Sequence, residues 1–92
     1  MNVEIINSRV QAILADIRSR RLKMGYSQGQ CGAMMRVSQN TFSKIESGNQ
    51  ELTVERLMLI ANMLELDFFE LLATPVKPPL SMIKGELFPV FL

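Results

Sequence analysis

Residues 25–49 read GYSQGQCGAMMRVSQNTFSKIESGN, and the punctuation of this stretch decides how the chain on either side of it folds. Ser27-Gln28-Gly29-Gln30 has the S-x-x-Q form of a capping box, in which the serine hydroxyl and the glutamine side chain each satisfy an amide at a helix start. A helix is therefore expected from Ser27, with Cys31, Met34 and Met35 on its apolar face. Gly29 and Gly32 each cost up to about 1 kcal/mol relative to Ala in a helix. Close approach of another helix at Gly32 is the expected compensation. Arg36-Val37 breaks the pattern, and Ser38 is a good N-cap for a second short helix. There Phe42 and Ile45 fall inward at i, i+3, while Gln39, Asn40, Ser43 and Lys44 share the outward edge. Gly48 ends that helix.

Upstream, Val3, Ile6, Val10, Ile13, Ile17 and Met24 recur at three- and four-residue steps and predict one long helix over residues 3–24. Arg21 falls on this stripe where an apolar residue is expected, and Gly25 follows as a C-cap. Downstream, Asn49-Gln50-Glu51-Leu52 is a polar loop and Thr53 caps a fourth helix with Val54, Leu57, Ile60, Ala61 and Leu64 as its core face. Asp67 and Glu70 form a second capping box, opening a short fifth helix through Phe68, Phe69, Leu71 and Leu72. Residues 1–73 thus predict an all-α, compact bundle of five helices. Residues 74–92 contain Pro75, Pro78, Pro79 and Pro89, which rule out a long regular helix, yet the segment is apolar. It is expected to be an extended tail for dimerisation or for a partner, with Leu87, Phe88, Val90 and Phe91 as the candidate contacts.

Composition narrows the chemistry. A length of 92 residues suits a single domain, and 48% hydrophobic content is enough for a core. With no histidine and a single cysteine, the usual zinc sets cannot be assembled within one chain, and the commonest general base is missing. The five glycines fit no nucleotide fingerprint. An enzyme is not expected, nor a metal or cofactor. No apolar run approaches the roughly 20 residues that span a bilayer, and Met1-Asn2-Val3-Glu4 lacks the features of a secretory leader, so a soluble cytoplasmic protein with no membrane partner is expected. The net charge is only +1, but it is segregated. Arg18, Arg20, Arg21, Lys23, Arg36 and Lys44 occur without an intervening acid, whereas Glu46, Glu51, Glu55, Glu65, Asp67 and Glu70 are joined by the single cation Arg56. One end of the domain should carry a positive field.

Two short helices joined by a tight turn, the second with a polar outer edge, form a helix-turn-helix arrangement. Gly-Tyr-Ser-Gln at 25–28, Val-Ser at 37–38 and Thr-Phe-Ser-Lys-Ile-Glu-Ser-Gly at 41–48 resemble the lambda-repressor-like (Cro/repressor, XRE-type) helix-turn-helix family. The resemblance runs from about Ile13 to Leu72, roughly two-thirds of the chain. The chain departs from the family at Cys31-Gly32, where Leu-Ala is usual, and at Arg36, where glycine is frequent. The resemblance implies that the helix starting near Ser38 enters the major groove and that Gln39, Asn40, Ser43 and Lys44 contact bases. It implies that Gln28, Ser38, Asn49 and Gln50 contact phosphates, and that Arg21 and Glu46 form a partly buried structural ion pair. Contact of Arg21 with phosphate is the competing role. Cys31 sits inward beside Met34 and Met35, so a small buried hydrophobe is expected rather than a redox sensor.

The expected function is sequence-specific binding of double-stranded DNA by a homodimeric transcription regulator, a repressor acting on a pseudo-palindromic operator. One recognition helix covers few base pairs, so specificity calls for two copies on half-sites about 34 Å apart. The alternative is an antitoxin that binds operator DNA and clamps a protein partner through residues 74–92.

Overall fold

Asn2 opens the first helix by accepting the Ile5 amide on its side-chain oxygen at 2.9 Å. In the computed structural model, which describes residues 2–76, this helix is α1 (Val3–Lys23), followed by α2 (Gln28–Met35), α3 (Gln39–Ser47), α4 (Val54–Met63) and α5 (Phe68–Leu72). No strand occurs among the described residues. Ser27, Ser38, Thr53 and Asp67 each accept an amide three residues on, as the sequence announces, and Asn2, which it does not, caps α1 in the same way; at α5 only the Asp67 half of the expected capping box is made. At α2 the box closes reciprocally, with Gln30 N donating to Ser27 Oγ (3.0 Å) and Ser27 N to Gln30 Oε1 (2.7 Å).

The core gathers Ile13, Leu14 and Ile17 of α1, Cys31 of α2, Phe42 and Ile45 of α3, Leu57, Ile60 and Ala61 of α4, then Leu64 and Leu71. Helix α2 packs on α3, α1 crosses α3 and α5, and α4 rests against α2 and α5. The apolar stripe of α1 is only half used. Ile13 and Ile17 are buried, but Val3 is 70% and Ile6 47% exposed, contrary to the sequence expectation. The reason is length: 21 residues extend about 30 Å, whereas the nine-residue α3 and five-residue α5 that cover α1 are far shorter. Val54, placed in the core by its spacing, is 67% exposed, because it starts α4 before that helix reaches the bundle. Met34, Phe69 and Leu72 are likewise exposed.

The turn between α2 and α3 fixes their geometry. Arg36 takes the left-handed conformation (φ 60, ψ 40), which a non-glycine residue reaches at modest strain. Val37 N then donates to Gly32 O at 2.9 Å. A Cβ built on Gly32 would stand 3.0 Å from the carbonyl oxygens of both Val37 and Ser38. The close approach expected at Gly32 is therefore made by the turn and the N-cap of α3 rather than by a helix body. Beyond α5, Thr74 is buried, its Oγ1 lying 2.7 Å from Leu71 O and 3.1 Å from Asp16 Oδ2, while Arg9 donates to Thr74 O. These contacts tie Thr74, grouped with the tail by sequence, to α1 and α5. No helix among the described residues is long and apolar enough to cross a membrane.

Candidate nucleic-acid interface

Helix α3 separates its faces sharply. Phe42, Ile45 and Glu46 are buried, while Gln39, Asn40 and Lys44 are exposed and Ser43 is half-buried. Positions 39, 40, 43 and 44 lie within one strip because residues four apart stack on a helix surface. The structure thus brings all four candidate base-contacting residues onto one edge. That edge offers two carboxamides, each able to donate and accept, one hydroxyl and one ammonium.

The flanking residues are less uniform. Ser38 Oγ accepts from Thr41 N at 3.0 Å and donates to Thr41 Oγ1 at 2.9 Å, so its hydroxyl proton is already engaged. What Ser38 leaves open is the helix start itself, where the first amides of α3 lack intrahelical acceptors and favour an anion. Gly48, at φ 84, turns the chain sharply, and both Asn49 N and Gln50 N donate to Lys44 O at 2.8 and 3.1 Å. Asn49 is exposed and donates to Ser47 Oγ at 3.1 Å, whereas Gln50 is half-buried. Gln28 turns inward: its Nε2 donates to Glu46 Oε1 at 3.0 Å. The second Nε2 proton is left for another acceptor.

Beneath this surface, Arg21 reaches from α1 to Glu46 on α3 in a two-pronged pair, Nε to Oε2 at 2.8 Å and Nη2 to Oε1 at 3.0 Å. Its third nitrogen, Nη1, donates to Tyr26 O at 2.9 Å. Both side chains are buried, and no buried side-chain polar atom among the described residues lacks a partner. Hydrogen bonding to the Glu46 carboxylate holds the Arg21 guanidinium above its ordinary range, against the opposing effect of burial. All three of its side-chain nitrogens are thus engaged within the fold, tying α1 to α3 and to the loop before α2. Nearby, burial pushes the Cys31 thiol up, outweighing the opposing pull of Arg21; it is a neutral core residue.

Two features escaped the sequence. Arg20 is not a free surface cation: its Nε donates to Leu64 O at 2.9 Å and its Nη2 to Glu65 O at 3.5 Å, capping the end of α4. No local signal marks a bond between residues 44 positions apart. Of the six clustered cations, Arg18, Lys23, Arg36 and Lys44 therefore remain exposed. The link from Gln28 to Glu46 is the second, and it joins the start of α2 to the ion pair. The candidate tail contacts Leu87, Phe88, Val90 and Phe91 lie outside the described residues.

Among known families, residues 17–71 match a family model described as helix-turn-helix, of the XRE-type, lambda-repressor-like class. The match covers more than half of the chain's 92 residues. It takes in the last third of α1 and reaches Leu71 in α5. No curated protein and no solved structure matches the chain.

Proposed function

Because the chain belongs to the lambda-repressor-like helix-turn-helix family of DNA-binding transcription regulators, we propose that it is a sequence-specific repressor binding a pseudo-palindromic operator as a homodimer. Helix α3 of each subunit enters the major groove. The observation that carries this is the strip Gln39, Asn40, Ser43 and Lys44, presented outward while the opposite face of α3 is anchored in the core. Glutamine and asparagine carboxamides bond adenine N6 and N7 in pairs, a lysine ammonium reaches guanine O6 and N7, and serine accepts either. Phosphates on the two sides are held by Gln28 with its remaining amide proton, by the helix start at Ser38, and by Asn49 and Gln50 past the end of α3. Arg36 and Lys44 add exposed positive charge close to the motif.

Selection of duplexes from a random library, followed by binding to single-base-pair variants, tests the reading. Gln39→Ala is expected to weaken the selected site by about 1–3 kcal/mol and to leave random duplex nearly unaffected. An equal loss on both kinds of DNA would make Gln39 a phosphate contact. If the chain enriched no sequence at all, the regulator reading would fail.

The dimer is assigned to the tail, whose residues Leu80, Met82, Ile83, Leu87, Phe88, Val90, Phe91 and Leu92 are too apolar for a solvated linker. Truncation after Val76 retains the Thr74 contacts with α1. The shortened chain is expected to sediment as a monomer and to lose operator affinity on the order of 100-fold, as two linked half-site contacts become independent. A truncated chain that stayed dimeric with full affinity would favour the antitoxin reading, in which the tail holds a different protein.

A further inference from the structure

Gly29 lies in the first turn of α2, where glycine weakens a helix, and its backbone does not need one. The positive-φ glycines among the described residues are Gly25 and Gly48. Nor is Gly29 pressed by main chain, as Gly32 is. A Cβ on Gly29 would meet the Ser27 hydroxyl only at an ordinary 3.8 Å, but it would press on the tip of a side chain from the other motif helix, Gln39 Oε1 at 3.3 Å with Gln39 Cδ at 3.8 Å. The Gln39 carboxamide therefore reaches back from the first residue of α3 and rests over the bare Cα of Gly29. Gln39 is exposed, so its close contact with this shelf bears directly on where its amide points.

We propose that Gly29 is a positioning residue for base recognition, its missing side chain providing the seat that aims the Gln39 carboxamide at a base edge. This rests on the assignment of Gln39 as a base reader. A methyl group at position 29 would sit closer to Gln39 Oε1 than ordinary van der Waals contact allows, and the exposed, flexible glutamine would yield by a few tenths of an ångström. The fold gains, because alanine favours the helix and restricts the unfolded chain. Aim is lost, because a paired hydrogen bond to adenine tolerates only small displacements. Stability and specificity should thus move in opposite directions, which a merely structural glycine would not produce.

The experiment compares the full chain, Gly29→Ala, Gln39→Ala and the double variant. The probes are the duplex selected by the unaltered chain, its single-base-pair variants, and random-sequence duplex, read by fluorescence anisotropy with thermal unfolding alongside. For Gly29→Ala, Tm is expected to rise by about 2–6 °C. Discrimination at the base pairs that depend on Gln39 should fall about 3- to 10-fold, with random-duplex binding unchanged. In the Gln39→Ala background the same substitution should change discrimination no further. Full discrimination by Gly29→Ala at those base pairs would overturn the proposal. So would an equal loss at every base pair, which would mark a general disturbance of the motif. If Gln39→Ala itself left every preference intact, the base-reader assignment would fall and take the proposal with it, a pattern distinct from either of the other two.

Discussion

Arg21→Met is expected to destabilise the fold by about 3–5 kcal/mol, because it removes one partner of a buried charge pair and leaves the other in place. Glu46 would keep only the Gln28 amide of the three donors that now surround its carboxylate. Tyr26 O would lose its guanidinium donor as well. Glu46→Gln should destabilise in turn, since Arg21 would keep its hydrogen-bonding reach but not its counter-charge. The double variant, Arg21→Met with Glu46→Gln, should recover part of the summed loss, as the orphaned charge is then gone. Denaturant unfolding of the four proteins measures this coupling. Strictly additive losses would mean that the pair contributes nothing as a pair, despite its 2.8 Å contact.

Phe42→Ala is expected to cost a comparable 3–5 kcal/mol through a different mechanism, the loss of transfer energy together with a cavity left behind. Phe42 has no exposed surface and is the largest fully buried side chain of the core. It belongs to the core cluster that also holds Ile17, Ile45 and Leu64, so the void would open beneath α3, the helix proposed to enter the groove. For a domain of this size such a loss is a fall in Tm of well over about 10 °C. Ile45→Val serves as the comparison, with an expected cost of about 0.5–1.5 kcal/mol. A loss below about 1 kcal/mol for Phe42→Ala would show that the surrounding helices collapse into the space.

The helix starts were legible in the sequence because caps are local chemistry. Ser27 with Gln30, Ser38, Thr53 and Asp67 each bond within three residues, so four letters carry the whole signal. The polar edge of α3 was legible for the same reason, since helical spacing alone puts positions 39, 40, 43 and 44 together. Burial was less so. Periodicity gives the direction of a face but not how much of it a partner covers, and this is why Val3, Ile6, Val54 and Met34 are exposed. The ion pair stood between these cases: Arg21 and Glu46 were marked as charges on inward positions, and family resemblance supplied the pairing. The cap of α4 by Arg20 and the link from Gln28 to Glu46 depend on tertiary placement alone. Neither residue looks unusual in its own neighbourhood.

The fork between Arg21 and Glu46 also acts as a rotational stop. A helix lying in a groove of other helices can roll about its own axis at little energetic expense if only apolar side chains touch, since dispersion contacts are not directional. A roll of 20° would carry the outer side chains of α3 through roughly 2 Å, given a helix radius of about 5–6 Å with side chains. That displacement is several times the tolerance of a hydrogen bond. Two parallel N–H bonds to one carboxylate do have a direction, and the Arg21 guanidinium holds them at 2.8 and 3.0 Å from the inner side of α3. The angular phase of the helix is therefore set by the fold itself, and what stays adjustable on its outer edge is the torsions of Asn40 and Lys44 and, within its seat on Gly29, of Gln39.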